Sequence, residues 1–172
     1  MTEDQHWPIL QQPCHRAYIK IKKQWYYLYR AVDSEANTLD FLLSATRDAK
    51  AAERFFRKAL RASHTVPPRV ITVDKNAAYP PAFEALQQAG PLPKDCKLRQ
   101  QKYLNNIVEQ DHRFVKRRVN PGLGFGSFDT AQRTLQGYEA MHMIRKGQLQ
   151  GSPKTDVLAQ NRAIAQMFGL VT

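Results

Sequence analysis

Three strand-like segments follow one another near the start of the chain, and they constrain its fold more than any other feature. Residues 17–22 alternate apolar and polar side chains, which is the period-two pattern of a half-buried strand. Residues 25–32 (WYYLYRAV) are rich in aromatic and β-branched side chains, and a hairpin turn at Lys22-Lys23 joins the two segments. Turn-forming residues then lead into 38–44 (TLDFLLS). The sequence therefore predicts an antiparallel three-stranded meander.

The remaining segments alternate between helical and strand patterns. Apolar residues at helical spacing from Ala49 to Leu60 predict a helix capped by Thr46. Residues 69–73 (RVITV) form a short apolar run, as in strands buried on both faces. A helix over residues 77–89 and a short strand over 97–100 follow. Together these elements predict an α/β fold, in which helices flank a mixed sheet of three antiparallel strands plus parallel strands.

The composition favours a nucleic-acid partner. Lys and Arg number 26 against 15 Asp and Glu, a formal net charge of +11 that attracts polyanions. The alternative is a basic surface that only keeps the protein soluble. The two cysteines, Cys14 and Cys96, form no CxxC pair, so the sequence predicts neither a disulfide framework nor a zinc site. We expect no membrane span and no signal peptide, because no apolar run reaches about 20 residues.

Two separated carboxylates are the candidate catalytic residues. Asp74 directly follows the apolar run at 69–73, and open α/β sheets place their sites at the carboxyl ends of strands. Glu109 lies in the predicted helix 105–118 (NNIVEQDHRFVKRR) on one face with His112, Arg113 and Lys116. Each carboxylate also has an alternative role. Asp74 could be a turn or cap residue, and Glu109 could belong to a solvent-exposed face with a Glu–Arg pair.

These motifs resemble those of a known superfamily. Asp74 and Glu109 are separated by 34 residues, a spacing similar to that of the second and third acids of DDE transposases, which include the retroviral integrases. Residues 17–60, 92–118 and 121–148 together resemble the short bacterial insertion-sequence transposases. The resemblance covers about residues 17–150, which is nearly all of the chain.

The resemblance implies a ribonuclease H-like fold and phosphoryl transfer on DNA. In that family, three carboxylates hold two Mg²⁺ or Mn²⁺ ions that activate the nucleophile and stabilise the leaving oxygen. By this resemblance Asp74 and Glu109 would be catalytic metal ligands, and Arg113 and Lys116 would contact DNA phosphates. Two further lysines, Lys20 and Lys22, alternate with aromatic residues and would line a DNA path or form an outward strand face.

The first of the family's three acids is missing. Family members carry an Asp-Glu-Thr or similar triplet directly before the tyrosine of the first strand, and here that triplet is His15-Arg16-Ala17. Imidazole brings no negative charge and is a poor replacement for carboxylate towards Mg²⁺. Asp33 is an alternative ligand, but the hairpin places it opposite about Gln12, so we interpret it as a turn residue.

These features define the expected organisation and function. We expect a divergent segment at residues 1–16 without a helix-turn-helix, an integrase-like core at 17–150 and a helical tail at 151–172. The predicted function is that of an N-terminally truncated transposase catalytic domain, impaired at His15. The alternative is a catalytically dead remnant that binds DNA or inhibits transposase. Expected partners are element ends, target DNA and other transposase subunits, with no membrane, in the bacterial cytoplasm at the nucleoid. A ribonuclease H or junction-resolving nuclease is disfavoured, because the flanking segments resemble transposases.

Overall fold

The computed structural model describes residues 6–8, 18–61, 68–101, 106–119 and 122–170, with side chains for all of these except 6–8 and 106–112. The strands are β1 (His6–Pro8), β2 (Tyr18–Ile21), β3 (Gln24–Val32), β4 (Thr38–Ser44), β5 (Val70–Val73) and β6 (Lys97–Gln100). The helices are α1 (Ala49–Arg61), α2 (Tyr79–Gln88), α3 (Asn106–Val119), α4 (Phe128–Lys146) and α5 (Val157–Met167).

The predicted antiparallel meander is confirmed. Strands β2, β3 and β4 pair in that order, with Ile21 opposite Gln24 and Tyr27 opposite Ser44. Lys22 and Lys23 form the two-residue turn between β2 and β3, and both have positive φ angles (47° and 68°). Positive φ at both central positions gives the backbone twist that tight hairpins need.

The second sheet is parallel, in the order β1-β5-β6. Helix α2 connects β5 to β6, which is the crossover that parallel neighbours require. Strand β1 pairs with β5, with Trp7 opposite Ile71, and also lies close to β3. The sequence did not predict β1, because three residues are too few to show a strand period. The predicted α/β fold of antiparallel and parallel strands flanked by helices is confirmed.

Two apolar clusters cover the two faces of the antiparallel sheet. One joins β3 and β4 to α1, β5 and α2, and it includes Tyr29, Phe55, Ile71 and Tyr79. The other joins β2, β3 and β4 to α3 and α4. Because β5 lies within the first cluster, the residue that follows it is held at the edge of the core.

The predicted N-cap of α1, Thr46, is wrong by two residues. The carboxylate of Asp48, and not Thr46, accepts the N–H of Ala51 in the first turn of α1 (2.7 Å). This bond lowers the pKa of Asp48. Ser127 is the N-cap of α4, where its hydroxyl accepts the N–H of Thr130. In the described part of the chain, no helix has the length and apolar character needed to cross a membrane.

Candidate active site

Asp74 lies directly after β5, at the carboxyl end of the middle strand of the parallel sheet. The four-residue strand Val70–Val73 is largely buried, and Asp74 itself is 2% exposed. A carboxylate at this depth needs polar partners, because burying an unpaired charge is costly. Its position agrees with the general placement of sites in open α/β sheets.

Both carboxylate oxygens of Asp74 accept a hydrogen bond. Oδ1 accepts the backbone N–H of Asn76 (2.9 Å), and Oδ2 accepts a guanidinium N–H of Arg47 (3.2 Å). Arg47 precedes α1, so this ion pair joins the start of that helix to the end of β5. Burial raises the pKa of Asp74, while the Asn76 N–H and the Arg47 charge partly offset that increase.

The surroundings of Asp74 exclude water on one side. Tyr79, at the start of α2, is fully buried, and its pKa is raised well above its usual range by burial and by the negative charge of Asp74. Charges interact more strongly in such a setting than in water. The site therefore holds a carboxylate whose charge state responds strongly to nearby cations.

The structure describes the other two candidate metal-site positions, Glu109 and His15, only in part or not at all. Glu109 lies in the first turns of α3, which spans Asn106–Val119 as the sequence predicts to within one residue. Its side chain is outside the described residues, and so is His15. The roles of Asp74, Glu109 and His15 remain predictions.

The predicted DNA-binding residues lie on two elements. Arg113 is exposed and Lys116 is half-buried on α3, whose last turn also carries Arg117 and Arg118. Lys20 and Lys22 are exposed at the β2–β3 hairpin, and the Lys20 ammonium lies 5.7 Å from the centre of the Trp25 ring. These positions make the residues accessible, and their contact with DNA stays a prediction.

Comparison with known proteins identifies the family. The model of the DDE domain of IS240-type transposases matches residues 14–148. The chain belongs to the DDE-domain transposase family. The predicted resemblance is thereby confirmed.

Curated relatives agree with this DDE assignment. The chain is 40% identical over 129 residues to the transposase for insertion sequence-like element IS431mec of Staphylococcus aureus strain Mu50. It is equally similar to the Staphylococcus aureus transposase for insertion sequence element IS257 in transposon Tn4003. Each alignment covers 75% of this chain and 55% of the relative. The chain therefore matches about half the length of these transposases.

Solved structures confirm the fold. The HTLV-2 integrase catalytic core domain, in complex with magnesium in its trimeric form, superposes with a TM-score of 0.57 at 16% identity. That comparison covers 89% of this chain and 91% of the integrase core. The simian T-cell lymphotropic virus intasome, in complex with a PP2A regulatory subunit, gives a TM-score of 0.54 at 13% identity over 89% of this chain and 51% of that one. The predicted ribonuclease H-like fold is confirmed.

The donor chemistry of Asp74 is suitable for a divalent cation. Its two oxygens provide about four lone-pair sites, of which two accept the hydrogen bonds described above. Carboxylate oxygens are the ligands that Mg²⁺ prefers. Among the side chains that the structure describes, however, no three His, Cys, Asp or Glu residues form a group that could hold a metal ion. The described side chains thus supply one ligand of the right type and do not complete a site.

The sequence did not predict Arg47 as a partner of Asp74. Arg47 lies in a turn between β4 and α1, where an isolated arginine has no distinguishing pattern. A second unpredicted pair joins Arg30 on β3 to Glu139 on α4 at 2.6 Å, with side-chain exposures of 0% and 4%. An arginine within an otherwise apolar strand was the available indication of a buried acidic partner.

Proposed function

We propose that this chain is a transposase catalytic domain that cuts DNA strands at insertion-sequence ends and joins them to a target in a metal-dependent reaction. The observation that supports this proposal best is Asp74, a buried carboxylate at the end of the central parallel strand of a DDE domain. The curated relatives that are 40% identical to this chain over 129 residues are transposases.

In this proposal Asp74 and Glu109 hold Mg²⁺ or Mn²⁺ ions. When bound, such ions supply activation of the attacking hydroxyl and stabilisation of the leaving oxygen. Arg47 neutralises the Asp74 carboxylate when no divalent ion is bound, and in the proposed reaction its guanidinium contacts the scissile phosphate. Arg113 and Lys116 on α3, and Lys20 and Lys22 on the hairpin, bind DNA phosphates.

The domain boundaries and partners belong to the same proposal. The catalytic core is residues 17–150, residues 1–16 form a divergent segment, and the tail at 151–172 contains α5. The partners are element ends, target DNA and other subunits of the same chain or of full-length transposase. A protein that acts on chromosomal DNA in a bacterium would be found in the cytoplasm at the nucleoid.

A second candidate function is that of a catalytically dead remnant, which binds DNA or inhibits active transposase. Two observations favour it. His15 stands where the resemblance places the first acid. Asp74 forms an ion pair with Arg47, a cation that a divalent ion would have to displace or accommodate.

Two measurements test the proposal and separate these candidates. Mn²⁺ is titrated calorimetrically into wild type, His15→Asp and Asp74→Asn, and nicking of supercoiled plasmid DNA is followed with and without Mn²⁺. Plasmid nicking is chosen because it does not require recognition of element ends. Asp74→Asn is the matched control, because it removes the charge and keeps the size of the side chain.

If the chain is an active enzyme, wild type should bind Mn²⁺ and nick plasmid DNA. Asp74→Asn and Glu109→Gln should then abolish nicking. If the chain is a catalytically dead remnant, wild type should bind plasmid DNA without nicking it. Mn²⁺ binding should then appear or become tighter in the His15→Asp variant. Nicking that persists in both Asp74→Asn and Glu109→Gln would disprove the proposed site.

A further inference from the structure

A cavity of about 210 Å³ lies between the β2–β3 hairpin and the segment that follows α3. Its lining residues come from three parts of the chain: Tyr18, Lys20, Trp25, Val119, Leu123 and Gly124. None of them contacts Asp74 through a described hydrogen bond or ion pair.

The wall of this cavity depends on a glycine. The N–H of Phe125 donates to the carbonyl of Lys20 (2.8 Å), and the N–H of Lys22 donates to the carbonyl of Phe125 (2.9 Å), so this segment pairs along the free edge of β2. Gly124 has φ +118°, and a Cβ there would lie 2.7 Å from the Lys20 carbonyl oxygen. Only glycine allows so close an approach, so Gly124 lets this segment pair with β2 and form one wall of the cavity.

Large apolar side chains around the cavity remain in contact with solvent. Trp25 is 60% exposed and Leu123 is 87% exposed. Leu123 also has a positive φ angle (54°), which branched side chains rarely adopt. Neither the exposure of these apolar side chains nor the backbone strain at Leu123 is offset by burial. Such exposed apolar groups and strained backbone are typical of ligand-binding surfaces.

The strand register places aromatic and basic groups together. Ile19 and Ile21 face the core, so the alternate residues Tyr18 and Lys20 face outwards, and Lys20 lies opposite Trp25. The Tyr18 and Trp25 rings meet edge to face, with centroids 6.2 Å apart. An exposed ring flanked by cations is the arrangement that stacks a base and neutralises its phosphate in proteins that bind single strands.

The size of the cavity and the charge around it indicate which kind of ligand it binds. The cavity is smaller than the range of about 300–1,000 Å³ that is typical of drug-sized ligands, so it suits one planar group. The exposed Lys22 and Lys23 lie at the hairpin turn, and the basic last turn of α3 leads to Val119, which lines the cavity. A planar group on a polyanionic chain satisfies both conditions.

We propose that this cavity binds one unpaired nucleobase of the DNA substrate, which stacks on Trp25 while Lys20 and Lys22 contact the adjacent phosphates. The inference depends on the proposed function for its DNA partner. Val119 lies ten residues from Glu109 on α3, a distance of about 15 Å along the helix. For a strand that followed α3, this distance would correspond to about four nucleotides at a rise of about 3.4 Å per nucleotide.

The test compares DNA with and without an unpaired base. Fluorescence anisotropy measures the affinity of the protein for a fully paired duplex and for the same duplex carrying a single unpaired 2-aminopurine, at several salt concentrations. Variants are Trp25→Ala, Trp25→Phe and Phe168→Ala. Phe168 is the matched control, because it is an aromatic residue that is 70% exposed elsewhere in the chain. Circular dichroism verifies that each variant is folded.

We expect wild type to bind the duplex with the unpaired base more tightly than the fully paired duplex, and to quench 2-aminopurine emission. Trp25→Ala should weaken binding to that duplex by roughly tenfold or more and leave the salt dependence unchanged, since no cation is removed. Trp25→Phe should keep most of the affinity, and Phe168→Ala should match wild type. Equal affinities of wild type and Trp25→Ala for the unpaired duplex would overturn the inference.

The plasmid-nicking assay described above, applied to wild type and Trp25→Ala together with this binding test, separates failure of this inference from failure of the proposed function. If the cavity does not bind a base, Trp25→Ala still nicks plasmid as wild type does and shows no loss of preference for unpaired DNA. If wild type binds neither duplex, the proposed function and the base-binding cavity are both wrong.

Discussion

Arg47 donates a hydrogen bond to Asp74 across 3.2 Å, in a pair whose side chains are 18% and 3% exposed. Burial favours the protonated carboxyl, whereas the guanidinium and the Asn76 N–H favour the carboxylate. A divalent ion at Asp74 must therefore compete with a proton and share the carboxylate with Arg47. This competition gives the candidate active site two measurable properties, a dependence on Arg47 and a dependence on pH.

Replacement of Arg47 by glutamine should lower stability and tighten metal binding. The loss of the charged hydrogen bond to a buried carboxylate should reduce the free energy of unfolding by about 1–3 kcal/mol. Removal of the positive charge should increase the affinity of Asp74 for Mn²⁺ in calorimetry. The matched control is Arg57→Gln, which breaks an exposed i,i+4 pair with Glu53 and should cost less than about 0.5 kcal/mol. Equal losses in urea denaturation would show that the Arg47 pair is not energetically distinct.

Asp74 should make folding less favourable as pH rises. A carboxyl whose pKa is raised by folding contributes stability below its unfolded pKa and loses it as pH rises through the folded pKa. Relative to Asp74→Asn, wild type should therefore lose free energy of unfolding as the pH rises above the unfolded carboxyl pKa of about 3.9 and through the raised pKa of folded Asp74. Urea denaturation at several pH values measures this difference. A wild type that gains stability over the variant in this window would mean that Arg47 outweighs burial.

Local sequence patterns predicted the elements of the fold other than β1 and the position of Asp74 at the end of β5, but not the residues that contact Asp74. The period of the strands and the apolar run before Asp74 depend on neighbours in sequence, so the sequence carries them directly. Arg47 is 27 residues from Asp74 and reaches it only through the packing of α1 against the sheet. The β1–β5 pairing is equally non-local, because Trp7 and Ile71 are 64 positions apart in the sequence.

The packing of helix α4 also could not be predicted fully from the local sequence. Ala131, Leu135 and Ile144 lie at helical spacing along α4 and are buried, whereas Met141 at the same spacing is 38% exposed. Glu139 is buried instead, at four residues from Leu135 on the same face. A glutamate is normally predicted to be exposed, and only the position of Arg30 across the interface explains its burial.

Disruption of the Arg30–Glu139 pair should be strongly destabilising. Glu139→Gln removes one charge of a buried ion pair whose atoms lie 2.6 Å apart and should cost about 3–5 kcal/mol. The double variant Arg30→Met, Glu139→Leu should recover most of this loss, because it removes both buried charges. Asp40→Asn, at a more exposed pair with Lys58, is the control and should cost less than about 1 kcal/mol. A double variant as unstable as Glu139→Gln would indicate that packing, and not charge, dominates this contact.

Replacement of Arg113 by glutamine should weaken DNA binding without loss of stability. Arg113 is exposed on α3, in the helix that also carries Glu109, and we propose that it contacts a phosphate. The loss of one phosphate contact should reduce the slope of log affinity against log salt by about one, equally for unrelated duplex sequences. Arg162→Gln provides a matched exposed arginine on α5 and should leave the slope unchanged. An identical decrease in both variants would mean that DNA responds to overall charge, and α3 would lose its proposed role as the DNA-contacting helix.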